Sequence, residues 1–447
     1  MVPRKLIFWS QTVALGGFLF GMDTAVISGA EQAIQKLWGL SVIEHGLTVS
    51  IALIGTVFGA LLGGIPCDVF GRKQTLYWIA VVFLISSVGS ALANNWYLFL
   101  IFRLIGGFAV GASSVAGPMY ISELAPASHR GRLVMMFQFN VVLGILVAFV
   151  SNYLLDGVNV NAWRLMLGMV AIPSLVLLIL MPFVPESPRW LIFKKGAVEE
   201  AEKIFRAINP VTAKAEVQAI QNANGKQDAL MGNLLNKKYS FSVMLAIFFA
   251  IFNQVSGINA IIYYAPRIFE MTGLGTSSAL LSSAGIGLIN FLFTLLAVNY
   301  IDRFGRKNLM LVGSAGLIVS LALIAKSFYL QDFGGYSVSI YLFIYIAFFA
   351  FSQGAVMWVF ISEIFPNEVR AKGQALGSFM HWLMASIITF SFPYITETFG
   401  GGNSFMIFTL MMVCQLIFVL MVMPETNGKS LEELEGILYS SRKNSTK

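Results

Sequence analysis

A helix needs about 20 mostly apolar residues to cross the ~30 Å hydrocarbon core of a bilayer, and this chain supplies such runs one after another. Between charged breaks they fall near 7–30, 46–67, 74–93, 96–122, 133–155 and 163–184, and after a polar interval near 241–271, 278–301, 308–330, 337–364, 373–395 and 403–423. Only 11% of the 447 residues are charged, against ~25% in an ordinary soluble domain, so the chain lacks the polar surface to face water all round. The sequence predicts an all-α polytopic membrane protein with twelve transmembrane helices in two six-helix bundles. Residues 1–184 form the N-terminal bundle, 185–240 a cytoplasmic linker, 241–423 the C-terminal bundle and 424–447 a cytoplasmic tail. The apolar spacing of Val198, Ala201, Ile204, Phe205 and Ile208 predicts short amphipathic helices in the linker.

Charge placement predicts the orientation. Of 29 Lys and Arg, only Lys36, Arg103, Arg164, Arg267 and Lys326 fall within a helix or on the side away from the termini. The positive-inside rule then puts both termini and the middle interval in the cytoplasm, and it accounts for the net charge of +7 without nucleic acid. No cleavable signal peptide is evident, since the first apolar run is too long for one. Cys67 and Cys414 imply neither a disulfide framework nor a metal site, and His45, His129 and His381 are far apart. No cofactor is expected.

The second half repeats the first. Asp68-Val-Phe-Gly-Arg-Lys73 returns as Asp302-Arg-Phe-Gly-Arg-Lys307, Ile121-Ser-Glu-Leu-Ala-Pro126 as Ile361-Ser-Glu-Ile-Phe-Pro366, and Pro185-Glu186 as Pro424-Glu425. Two six-helix halves in parallel repeat imply two bundles with a binding site near the midplane between them. Asp68, Arg72, Glu123 and Arg130, with Asp302, Arg306, Glu363 and Arg370, fall at the cytoplasmic helix ends. They are candidates for a charge latch, with Glu123 facing Arg130 and Glu363 facing Arg370. Plain positive-inside topology is the alternative.

These motifs carry a resemblance. The repeated Gly-Arg-Lys, PMYISELAP with RGR at 118–132, PESPRWL at 185–191, QVSGINAIIYYAP at 254–266, ISEIFPNEVR at 361–370 and PETNGKSLEEL at 424–434 resemble a sugar porter of the major facilitator superfamily, over nearly the whole chain. The resemblance implies alternating-access transport of a monosaccharide, in a chain functional as a monomer in the lipid bilayer of a cell membrane.

Asp23 and Arg103 are charges inside predicted spans, each costing about 2.5–3.5 kcal/mol at a helix centre on insertion scales. The first helix runs outward and the fourth inward, and at 1.5 Å per residue both charges lie roughly 10 Å below the outer face. They can therefore pair. Alternating wet and dry surroundings would let Asp23 take a proton on one side and release it on the other; a permanent structural pair is the other reading. The resemblance favours coupling, because proton–sugar symporters of this family carry Asp here and facilitative animal glucose transporters carry Asn.

Amides suit a sugar because they donate and accept without a charge to desolvate. Gln138, Gln254, Asn259 and Asn290 are candidate sugar ligands, with Trp358 and Trp382 covering the ring; interhelical glue is the alternative for each. The chain departs from the family at Asn253-Gln254, where many members have two Gln. His381 stands where relatives often carry Gln or Asn, and is a further candidate ligand. Gln353-Gly354-Ala355 replaces Trp-Gly-Pro, and the lost proline predicts a weaker helix break. Ile145 gives an apolar wall that, by the resemblance, is more like a glucose-type than a xylose-type pocket, so a hexose such as glucose or galactose is expected, with pentoses and inositol as the alternatives. The competing readings are a passive uniporter, a non-transporting sugar sensor, against which the short tail argues, and a membrane enzyme, for which no nucleophile–base pair, metal cluster or phosphate loop is found.

Overall fold

The structure, a computed structural model, describes residues 3–126, 129–227, 233–234, 236–366, 368–429 and 433–434. Among them eleven helical stretches are long and apolar enough to cross a membrane. The first ten are α1 (Arg4–Trp38), α2 (Val42–Leu62), α3 (Arg72–Leu92), α4 (Trp96–Leu124), α5 (Arg130–Leu155), α6 (Ala162–Phe183), α7 (Lys237–Tyr263), α8 (Thr276–Phe304), α9 (Arg306–Leu330) and α10 (Ser337–Glu363). The eleventh, Arg370–Met421, has 52 residues, which at 1.5 Å per residue would run about 78 Å, over twice a bilayer core. It divides at Gly400, whose φ of 80° and ψ of 161° are not helical, into α11 (370–399) and α12 (401–421).

Helix α1 continues past the apolar run that predicts its end near residue 30, through Glu31, Gln32 and Gln35 to Trp38. The polar side chains of these last turns find partners in Glu270, His45 and Arg267, described below. Two other helices are interrupted. Gly257, at φ 89°, separates Ser240–Val255 from Ile258–Tyr263 within α7, and Ser352, at φ −115° and ψ −88°, separates Ser337–Phe351 from Gln353–Glu363 within α10. The weaker break expected from the missing proline is thus corrected: Ser352 breaks α10 without one, its hydroxyl donating to the Phe348 carbonyl at 2.6 Å.

The chain divides into two compact units, one of Met1–Ala30 with Ile51–Met231 and the other of Glu31–Ser50 with Gly232–Lys447. In the first, α1 and α5 approach so closely that a Cβ on Gly21 would collide with the Val141 carbonyl, and one on Gly144 with that of Phe18. Small residues permit such contact where lipid supplies no hydrophobic drive. The middle segment packs on this unit. Tyr120 donates to the Pro185 carbonyl at 2.8 Å and the Trp190 indole to that of Asp68 at 3.0 Å. The helices Val198–Ile208 and Ala213–Gln227 follow, with Ala201, Ile204, Phe205 and Ile208 buried. In the second unit Leu245, Phe249, Met310, Val356, Phe360 and Phe365 share one core.

Candidate functional site

Within the first unit, α1 and α4 place a carboxylate against a guanidinium out of reach of water. Arg103 Nη1 donates to Asp23 Oδ1 at 2.5 Å, and Nη2 lies 3.4 Å from the Asp23 carbonyl oxygen. Both residues are buried, and among the described residues Arg103 Nε has no hydrogen-bond partner. Two charges in such a place are tolerable together and costly apart. The arrangement leaves each buried charge with the other as its counter-charge.

Within the second unit, the break in α7 sets Gln254 and Asn259 at the head of a chain of amides. Asn259 Nδ2 donates to Gln254 Oε1 at 2.7 Å, and Gln254 Nε2 donates to Asn253 Oδ1 at 2.9 Å. The same Nε2 lies 3.1 Å from His381 Nδ1 and 3.3 Å from its Nε2, so the imidazole faces an amide donor and serves it as acceptor. His381 lies between two indoles, 5.1 Å from the Trp358 ring and 4.8 Å from that of Trp382 in edge contact. Trp382 is buried, whereas Trp358 is 38% exposed. Asn290, on α8, is buried, and among the described residues no hydrogen bond joins it to Gln254, Asn259 or His381. Gln138 lies half-buried on α5 in the first unit. Donors and acceptors crowd beside aromatic faces here without a formal charge, which suits an uncharged polyhydroxylated solute.

The repeated motifs build the same device in each unit. In the first, Arg72 bonds Glu123 at 2.9 Å and Asp68 at 3.2 Å. In the second, Arg306 bonds Glu363 at 2.7 Å and Asp302 at 2.9 Å. The expected pairing of Glu123 with Arg130, and of Glu363 with Arg370, is corrected. Among the described residues no ion pair joins either couple; Arg130 Nε is buried without a partner and Arg370 Nε donates to the Phe365 carbonyl. The carboxylate oxygens are already taken: Arg72 and Ser187 occupy those of Glu123, and Arg306 and Thr426 those of Glu363.

Sequence reasoning missed the acids that complete these clusters, although the Pro-Glu repeat pointed to them. Glu186 accepts from the Lys73 amide at 2.9 Å and Ser187 donates its hydroxyl to Glu123 at 2.5 Å. Glu425 accepts from the amides of Arg306 and Lys307, each at 2.9 Å, and Thr426 donates to Glu363 at 2.6 Å. The carboxylates sit on helix N-termini, where orphan amides and the dipole favour negative charge. Burial pushes the Glu425 carboxyl up, but the amides of Asn427, Arg306, Lys307 and Thr426 outweigh it and hold the group below the usual carboxylate range. Also missed was a buried cluster of Glu31, His45 and Arg267 in the second unit. Among the described residues no group of three or more His, Cys, Asp or Glu is placed to hold a metal ion.

Comparison with known proteins agrees with this chemistry. The family model described as "Sugar (and other) transporter" matches residues 9–438. The D-xylose-proton symporter of Escherichia coli (strain K12) is 38% identical over 462 residues, covering 95% of this chain and 94% of its own. The glucose transporter GlcP of Staphylococcus epidermidis is 35% identical over 425 residues, covering 94% and 95%. The partially occluded inward open structure of the xylose transporter XylE from E. coli superposes with a TM-score of 0.85 at 35% identity, covering 95% of this chain and 99% of that one. With the family matched over almost its whole length and the repeated cytoplasmic motifs in place, the chain belongs to the sugar transporters of the major facilitator superfamily.

Proposed function

We propose that this protein imports a monosaccharide together with a proton by alternating access, with Asp23 as the proton carrier and Arg103 as its partner. The observation that carries the reading is the buried 2.5 Å Asp23–Arg103 contact, a costly arrangement in a membrane helix unless it has work to do. That similar proteins include a D-xylose-proton symporter and an arabinose-proton symporter supports coupling. A potential of about 100 mV would supply about 2.3 kcal/mol per charge carried inward, roughly 50-fold accumulation.

Gln138, Gln254, Asn259, Asn290 and His381 bind the sugar hydroxyls, and Trp358 and Trp382 cover the ring. The Arg72 and Arg306 clusters serve as the cytoplasmic gate, with Arg130 and Arg370 at its rim. The apolar Ile145 favours a hexose, but relatives that carry xylose and arabinose put a pentose, xylose above all, first among the substrates to try. We assign twelve crossings, both termini to the cytoplasm of a bacterial cell membrane, and activity to the monomer, with no catalytic step.

The test is the pH outside de-energised proteoliposomes when a panel of sugars is added down a gradient. Alkalinisation with one sugar, abolished by an uncoupler, is the expected result and names the substrate. Sugar uptake without a pH change would make the protein a uniporter and Asp23–Arg103 a structural pair.

A further inference from the structure

Glu31 and His45 are both 0% exposed, and neither takes part in the sugar or proton roles assigned above. Glu31 lies on the polar last turns of α1 and His45 on the first turn of α2, both in the second unit. His45 Nε2 and Glu31 Oε2 are 2.5 Å apart. Arg267, on the short helix Ala265–Glu270, closes the cluster. Its Nη1 lies 3.4 Å from Glu31 Oε2, 3.1 Å from Gln35 Oε1 and 3.3 Å from His45 Nδ1.

A guanidinium has only hydrogens to offer, so it is matched by the neutral tautomer in which Nδ1 presents a lone pair. Nε2 then carries the ring hydrogen and donates to Glu31. The neutral ring thus bridges a cation and an anion, tying the ends of α1 and α2 to Ala265–Glu270. A proton added at Nδ1 would turn the acceptor into a cationic N–H aimed at Arg267. That bond would break while the Glu31–His45 contact survived. Arg267 is 34% exposed and has room to swing out, and Glu31 Oε1, buried without a partner, leaves a second acceptor on the carboxylate.

The other titratable groups nearby are few. Tyr264 meets the His45 ring edge-on at 5.8 Å and donates its hydroxyl to the Thr389 carbonyl. Glu270 accepts from Gln32 at 2.8 Å, and Glu44, next to His45, is held by Ser41. Helix α11 presents backbone here, the Phe390 carbonyl against Gly46.

We propose that His45 is a second proton-binding site, separate from Asp23, whose protonation releases Arg267 and unfastens Ala265–Glu270 from the ends of α1 and α2. In the orientation proposed above these ends face outward, so external acid would ease opening on that side. The inference rests on the transport reading, and its test keeps the two apart. Exchange of labelled sugar across proteoliposomes is measured with equal pH on both sides, from 8 down to 5.5, for the wild type, His45→Gln and Arg267→Gln. Any contribution from Asp23 is common to all three. The wild type is expected to accelerate roughly fivefold more than either variant on acidification, about the ratio set by one ordinary hydrogen bond. Thermal melting in detergent identifies which variants fold, and the half-exposed Arg267 keeps the test open should His45→Gln fail to. Folded variants that keep the wild-type profile would overturn the proposal. No exchange of any sugar by the wild type would instead overturn the transport reading.

Discussion

The carboxylate of Glu186 fills the space where a side chain on Gly71 would begin, as that of Glu425 does at Gly305. Both glycines also hold backbone angles open to glycine almost alone, φ 98° with ψ 160° and φ 82° with ψ 158°. Gly400 has nearly the same angles, φ 80° and ψ 161°, but nothing lies within 4 Å of a Cβ there. Alanine at Gly400 should therefore cost only the backbone strain, about 1–3 kcal/mol. Alanine at Gly71 or Gly305 should cost that and also expel a capping carboxylate. Thermal melts of the three variants check the order: equal losses would mean that the carboxylate contact adds nothing.

The same caps give a pH dependence. The Glu425 carboxyl lies below its ordinary value near 4.5 when folded. A group depressed in this way binds its proton more readily in the unfolded chain, so its stabilisation is present above about pH 4.5 and is lost as pH falls through the depressed value. Glu425→Gln should melt lower than wild type at pH 7, and the difference should shrink as the pH is taken below 4.5. Melting curves from pH 7 to 3.5 test this, and a gap that stays constant with pH would assign the loss to packing.

Hydropathy alone made most of the architecture legible, because bilayer thickness fixes span length and little else in a sequence produces such runs. Asp23 and Arg103 were legible as a pair because helix direction and rise put them at one depth. The end of α1 was not: Glu31, Gln32 and Gln35 look like loop until Arg267, His45 and Glu270 are seen to partner them. Nor was the choice of Arg72 over Arg130 as the partner of Glu123, since both arginines lie at helix starts and the Ser187 hydroxyl that takes the other carboxylate oxygen comes from a distant segment. The Ser352 break escaped because proline was the signal sought, and this break has none: the Ser352 backbone itself leaves the helical region, at φ −115° and ψ −88°.

His381 offers a test of the sugar site. It accepts from Gln254, which also holds Asn259 and Asn253, so its replacement should turn the amide chain. His381→Gln keeps hydrogen-bonding capacity but gives Gln254 a flexible partner. The apparent affinity for the transported sugar should change by about fivefold, on the order of 1 kcal/mol, with the maximal rate changed less. Concentration dependence of uptake for a hexose and a pentose measures it. Unchanged affinity for both would remove His381 from the site.

Asp23→Asn and the double variant Asp23→Asn with Arg103→Gln separate coupling from packing. The single change leaves the Arg103 guanidinium buried without its counter-charge, and breaking a buried pair costs about 3–5 kcal/mol. Lower melting is therefore expected under either reading. The double variant removes both charges, so stability should recover in part. Were the pair only structural and the proton carried by another group, sugar accumulation against a gradient would recover with it. With Asp23 as the proton carrier, accumulation is lost in both variants, while exchange of sugar down its gradient persists in the single one. Uphill uptake by a well-folded double variant would show that the proton travels by another group.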